Sequence, residues 1–180
     1  MRALLAVFAV AAAFAAPSAA IACACCSEPG TWYQFKAPLR GNERAELAKL
    51  RFRTANWVQT NEGGPGLGFD RLAMRATLSG RTWRWQLAGG RMLTLRLPFS
   101  ATRLAADVHD GKMGAGGGPL LYKEIRLDGP LTTGGILRGT RYRLVLQGRG
   151  NNCLNARDLR SWHLDVSGGT EPYSLYGTFR

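Results

Sequence analysis

The chain predicts an all-β domain: a single antiparallel β-sandwich or closed β-barrel of about eight strands, behind a cleaved N-terminal signal helix. Three observations carry this. Apolar residues recur with a period of two in short runs. Gly, 23 of 180 residues, punctuates those runs. One segment only, residues 42–50, has the composition of a helix. A period of two places one face of a strand in the core and the other in water. Frequent Gly supplies the positive backbone angles that tight turns need.

The first residues read as an export signal. Arg2 is followed by an apolar stretch over 3–16, then Pro17, Ser18 and the small residues Ala19, Ala20 and Ala22. A charged start, an apolar segment of this length and a small-x-small ending are the parts of a cleavable signal peptide. Two processing points fit, after Ala20 or after Ala22. The division expected is residues 1–22 as signal and 23–180 as one secreted β domain, in which 23–40 form a Cys-rich N-terminal segment. The alternative of a lipidated Cys23 departs from the usual pattern, which prefers Leu three places before the Cys. About 20 apolar residues are needed to span a bilayer. No run after the signal approaches that length, so no transmembrane segment is expected in the mature chain.

Next comes the candidate helix over 42–50, with Asn42 as its expected cap. Leu50, Phe52 and Thr54 then alternate with Arg51 and Arg53 as a first strand. Leu72, Met74, Ala76 and Leu78 make a second. Trp83, Trp85 and Leu87 alternate with Arg84 and Gln86, Gly89-Gly90 follows, and Leu93, Leu95 and Leu97 resume the alternation. Two such runs across a Gly-Gly loop predict a β-hairpin. Ile125 and Leu127 flank Arg126 before Asp128-Gly129-Pro130, which reads as a turn. Tyr142, Leu144 and Leu146 form a further strand, as do Trp162, Leu164 and Val166. Residues 174–179 close the series. Two Gly-rich stretches, 61–69 and 110–119, read as long loops, which on a rigid scaffold often carry function. No repeat and no linker divides the chain, and its length suits one domain.

The charge is lopsided, with 24 Lys plus Arg against 12 Asp plus Glu. Most of these cations are Arg, scattered rather than in blocks. Such a surface favours anionic partners. In a periplasmic or secreted setting these are envelope components: lipid, lipopolysaccharide or glycan. No nucleic acid is expected there.

Four Cys remain to be placed. Cys23, Cys25 and Cys26 crowd the start of the mature chain and Cys153 stands alone. An oxidising compartment favours disulfides. Neighbouring Cys pair poorly with each other, so a staple from Cys25 or Cys26 to Cys153 is the expectation. The remaining thiolates of Cys23, Cys25 and Cys26 form a candidate soft-metal site for Cu(I) or Zn.

Two further sites are weaker. Asp107 and His109 share one face of an extended segment at the lip of the second Gly loop, the minimum for general-base work. Tyr122, Lys123 and Glu124, just after that loop, make a candidate ligand mouth. No Gly-x-Ser-x-Gly elbow and no phosphate-binding loop with Lys after its glycines is present. These features favour a binding or structural β domain with a stapled or metal-binding N-terminus. The rivals are a carrier with a barrel cavity for a small molecule or lipid, and an enzyme using Asp107 and His109.

Overall fold

The structure is a computed structural model that describes residues 32–59, 70–106, 120–134, 139–150, 153–169 and 172–179. Among the described residues there are ten strands and one α-helix: β1 (Trp32–Pro38), α1 (Gly41–Ala48), β2 (Thr54–Gln59), β3 (Asp70–Ser79), β4 (Thr82–Leu87), β5 (Arg91–Arg96), β6 (Ser100–Ala106), β7 (Leu121–Thr133), β8 (Arg141–Gly150), β9 (Leu159–Ser167) and β10 (Tyr173–Thr178). Every pairing is antiparallel. The order β7-β5-β4-β3-β2-β10-β9-β8 returns to β7, so eight strands close into a barrel. Of the two architectures that alternation leaves open, closure selects the barrel, which leaves no free edge in the ring.

The two additional strands arise from the length of β7. Along one edge it pairs with β8 from Leu121 to Pro130. Along the other its first half pairs with β6 and its last three residues with β5. Strands β5 and β6 thus run along β7 in the same sense, separated by a kink at Leu97-Pro98-Phe99. Past the kink, β1 takes the place beside β6 that β4 holds beside β5. The chain leaves β1 directly into α1, which lies against β3.

The Asp128-Gly129-Pro130 segment corrects the turn expected there: β7 runs straight through it, with Gly129 opposite Tyr142 and Pro130 opposite Arg141. The physical reason is the seam. Pro130 falls between the β6-paired and β5-paired parts of its edge, where a missing N–H is tolerated. Gly129 is needed for close approach. A Cβ there would lie 2.6 Å from the Arg96 carbonyl oxygen and 2.9 Å from the Tyr142 ring. The Tyr142 hydroxyl donates to that same carbonyl at 2.9 Å and locks β8 to β5 across the seam.

The expected hairpin forms as β4 and β5, with Gly89 and Gly90 at φ 78° and 75°. The helix also forms, but Asn42 lies inside it. Arg40 holds the cap position, and the Glu43 carboxylate accepts its backbone N–H at 2.9 Å. The strand expected at 50–54 begins only at Thr54. Phe52 makes an isolated bridge to Phe179 just outside the barrel strands.

Phe52 is the plug of the lumen. Its ring sits 5.0 Å from Trp83, 4.6 Å from Trp85, 5.3 Å from Trp162 and 4.9 Å from Phe179, mostly edge to face. That geometry suits the ring quadrupoles and adds to plain burial. Around it pack Leu87, Leu93, Leu95, Leu144, Leu146, Leu164 and Leu175, all but removed from solvent. The indole N–H groups of Trp85 and Trp162 are buried without a hydrogen-bond partner among the described residues. Among the described residues no helix is long and apolar enough to cross a membrane.

Candidate functional site

One end of the barrel carries both a closure and a cluster of cations. The segment 153–158 folds back over this end because β8 finishes in Gly148 and Gly150. A Cβ at either position would overlap Asp158, through its carbonyl oxygen at Gly148 and its carboxylate at Gly150. Asp158 there accepts from Lys123 Nζ at 2.7 Å, and the Cys153 carbonyl accepts from the same ammonium at 2.8 Å. The Lys123 side chain is 4% exposed, so its charge is held inside the end closure.

Helix α1 reaches the same closure from the other side. Glu46 accepts the Ala156 backbone N–H at 3.0 Å and pairs with Lys49. The Ala156 hydrogen bond, then the Lys49 ammonium, holds the Glu46 carboxyl below its ordinary pKa. One turn earlier, Glu43 pairs with Arg103 on β6 at 2.6 Å, and Arg103 also donates to the Ala37 carbonyl at 3.1 Å. Two carboxylates on successive turns of α1 thus fix it between the β1–β6 extension and the 153–158 segment.

Between helix and segment lies a cleft of about 940 Å³, bordered by Glu46, Lys49, Arg51, Arg157, Arg160 and Phe179 among others. Arg51 also borders a smaller depression of about 370 Å³ with Phe52, Arg53 and Arg75. Among the described residues Arg51 donates to backbone carbonyls alone, those of Ala48 and Leu50. Among the described residues the Arg53, Arg75 and Arg160 side chains have no hydrogen bond or ion pair, and Arg157 contributes only to the field on Glu46. Among the described residues Glu46 lies in the cleft and is paired with Lys49, and the other acids are paired elsewhere: Glu43 with Arg103, Glu124 with Arg126, Asp128 with Arg143, Asp158 with Lys123, Asp165 beside His163. The result, among the described residues, is an arc of five guanidinium groups on a concave rim with the single carboxylate of Glu46 beside it.

The expected ligand mouth divides between two faces of β7. Lys123 points to the end closure, whereas Tyr122 and Glu124 point the other way. Glu124 accepts from Tyr122 at 2.9 Å and from Gln147 at 3.0 Å, and pairs with Arg126. Burial pushes the Glu124 carboxyl up, but the Gln147, Arg126 and Tyr122 hydrogen bonds outweigh it and the net shift is downward. Burial, then the hydrogen bond to Glu124, pushes the Tyr122 phenol up to about 12. These three residues do not converge on one opening.

The disulfide expected from Cys25 or Cys26 to Cys153 has its first cysteine outside the described residues. Cys23, Cys25 and Cys26, proposed as a soft-metal set, also lie outside them, as do Asp107 and His109. Among the described residues no three His, Cys, Asp or Glu side chains gather as a metal site. No family model, no curated protein and no solved structure matches the chain.

The cationic rim escaped the sequence reading for a plain reason. Arg51, Arg53, Arg75, Arg157 and Arg160 come from three separate parts of the chain. The one available signal was that Arg51 and Arg53 flank an apolar Phe52, so both point away from the core while Phe52 enters it.

Proposed function

We propose that this chain is an exported binding domain whose basic rim takes an anionic group of an envelope component. The single observation that carries the reading is the arc of Arg51, Arg53, Arg75, Arg157 and Arg160 around two adjoining depressions, where the one lining acid among the described residues, Glu46, is already paired with Lys49. Guanidinium groups offer planar, forked donors that match carboxylate and phosphate oxygens. Concave placement concentrates their field. The lumen, where Phe52, Trp83, Trp85 and Trp162 touch one another, speaks for the rim over the interior as the place of binding.

On this reading the N-terminal segment is a brace. A disulfide from Cys25 or Cys26 to Cys153 would tie it to the end closure that forms one wall of the cleft. The Cys23, Cys25 and Cys26 thiolates left over would be the place for Cu(I) or Zn.

The test is a titration of the exported protein with inorganic pyrophosphate, followed by backbone amide shifts. Co-sedimentation with phosphatidylglycerol-rich and with pure phosphatidylcholine vesicles runs beside it. Shifts centred on residues 49–53 and 155–160, weakening steeply with salt, are expected. Pairing Arg157→Ser with Arg160→Ser should abolish them without lowering the melting temperature. Shifts spread evenly over the surface, unchanged in that double variant, would sink the reading.

A further inference from the structure

The barrel wall carries a second concavity, separate in its residues from the basic rim. It is a groove of about 560 Å³ on the outer face of β8, β9, β10, β2 and β3, within the range of about 300–1,000 Å³ usual for small-ligand sites. The register explains how it assembles. Asn56 is the cross-strand partner of both Arg71 and Tyr176, and Tyr176 is the partner of His163. Ser161 is the partner of Gln147. Five strands therefore set one polar row around the outside of the wall.

The chemistry of that row is unusual for an outer surface. Tyr176 is 37% exposed, one of four large hydrophobic side chains left in solvent among the described residues. Amides, hydroxyls and imidazole surround it: Asn56, Gln147, Ser161 and His163. Asn56 is held by a donation to the Tyr176 carbonyl at 3.4 Å, and Gln147 by its contacts to Glu124 and Ser161. His163 is steadied by Asp165, 2.9 Å away. Arg71 has no hydrogen bond or ion pair among the described residues. An aromatic face suits the C–H face of a pyranose ring. The amides and hydroxyls can both donate to and accept from its hydroxyl groups. The free guanidinium adds a place for a carboxylate.

We infer that this groove binds an acidic saccharide, with a sugar ring on Tyr176, its hydroxyls on Asn56, Gln147 and Ser161, and its carboxylate on Arg71. The inference extends the reading of the basic rim and rests on it for the second anchor of the ligand. Ser161 of the groove follows Arg160 of the rim on β9, and Thr178 of the groove precedes Phe179 of the rim, so one extended chain reaches both. The rim alone would accept any anion. The groove selects a sugar.

The probe is a short oligogalacturonate, compared with the same oligosaccharide carrying methyl-esterified carboxylates. Both are titrated into the exported protein and followed by amide shifts. The acid form is expected to shift residues 54–56, 71, 161–163 and 176–178 together with 157 and 160. Tyr176→Ala should weaken binding about tenfold, since a stacked ring contributes on that order. Arg71→Ala should bring the acid form down to the affinity of the ester. Both side chains are exposed, so an unchanged melting temperature verifies the fold of each variant. Shifts confined to 157 and 160, indifferent to Tyr176→Ala, would overturn the groove and leave the rim standing. Equal binding of acid and ester would overturn the carboxylate assignment to Arg71. Silence at every residue would overturn both sites for this ligand class.

Discussion

Replacing Glu43 by Ala should destabilise the domain far more than an exposed carboxylate normally does. In the folded chain Glu43 accepts from Arg103 at 2.6 Å and from the Arg40 backbone N–H at 2.9 Å. The two side chains of the pair are only 10% and 14% exposed. Without Glu43 the Arg103 guanidinium stays in place with the Ala37 carbonyl as its remaining hydrogen-bond acceptor. Removing one partner of a buried pair costs about 3–5 kcal/mol. Loss of the contact at the helix start adds about 0.5–2 kcal/mol. Because water reaches both side chains at their edges, the lower half of that sum applies, about 3.5–5 kcal/mol. Arg103→Met should cost less, since the freed carboxylate keeps the Arg40 N–H. The double variant should recover part of the Glu43→Ala loss, because no uncompensated charge remains. Urea unfolding of the four proteins, with the slope compared as well as the midpoint, gives the cycle. A Glu43→Ala cost below about 1 kcal/mol, or strict additivity in the double variant, would refute the reasoning. It would mean that the pair behaves as a solvated surface bridge.

Other outcomes follow from the same contacts. Phe52→Ala should cost about 3–5 kcal/mol and reduce the near-ultraviolet circular dichroism of the Trp83, Trp85 and Trp162 cluster; an unaltered aromatic spectrum would contradict the plug. Gly148→Ala should cost about 1–3 kcal/mol, and amide exchange should quicken at 153–158, since the Asp158 backbone must move; protection unchanged there would show that the segment is held some other way. Glu46 and Glu124 both have lowered carboxyl pKa values. A lowered value means stability that is fully present above the unfolded value of about 4.3 and is lost as pH falls through the folded value. Acid unfolding of Glu46→Gln should therefore be shallower over that window, and an identical acid limb would refute the linkage. Absorbance titration should find one phenol, absent in Tyr122→Phe, ionising near 12. The non-reduced mass of the exported protein should begin at Ile21 or Cys23 and rise on reduction; a chain still beginning at Met1 would exclude the cleaved signal.

Much of the barrel was legible because alternation is a local property. Residues 82–87 and 91–96 announce their faces without reference to anything distant, and so do 141–150 and 159–167. Strand β6 was not legible. Its inward side holds Ala101, Arg103 and Ala105, and a charged residue among small ones carries no apolar rhythm. Arg103 is tolerated there only because Glu43 arrives from a helix 60 residues away. The turn expected at 128–130 failed for the complementary reason. Gly and Pro have the same local meaning in a turn and at a seam, and only the neighbours Arg96 and Tyr142 distinguish the two.

The sites were least legible. Tyr122, Lys123 and Glu124 are consecutive, but consecutive strand residues point to opposite faces. Adjacency in sequence therefore argued against a shared site. The basic rim and the Tyr176 groove run the other way, each drawing single residues from strands far apart in the chain.

By itself, the sequence determined the β class, the positions of most strands, the one helix, the excess of Arg and the pattern of an export signal. Each depends on neighbours along the chain or on composition. Only the tertiary structure decided that the sheet closes on itself, that β7 serves two partners along one edge, which described acids pair with which cations and which side chains share a concave surface. Those outcomes depend on pairing register and on the burial of particular charges. Neither exists until distant strands lie side by side.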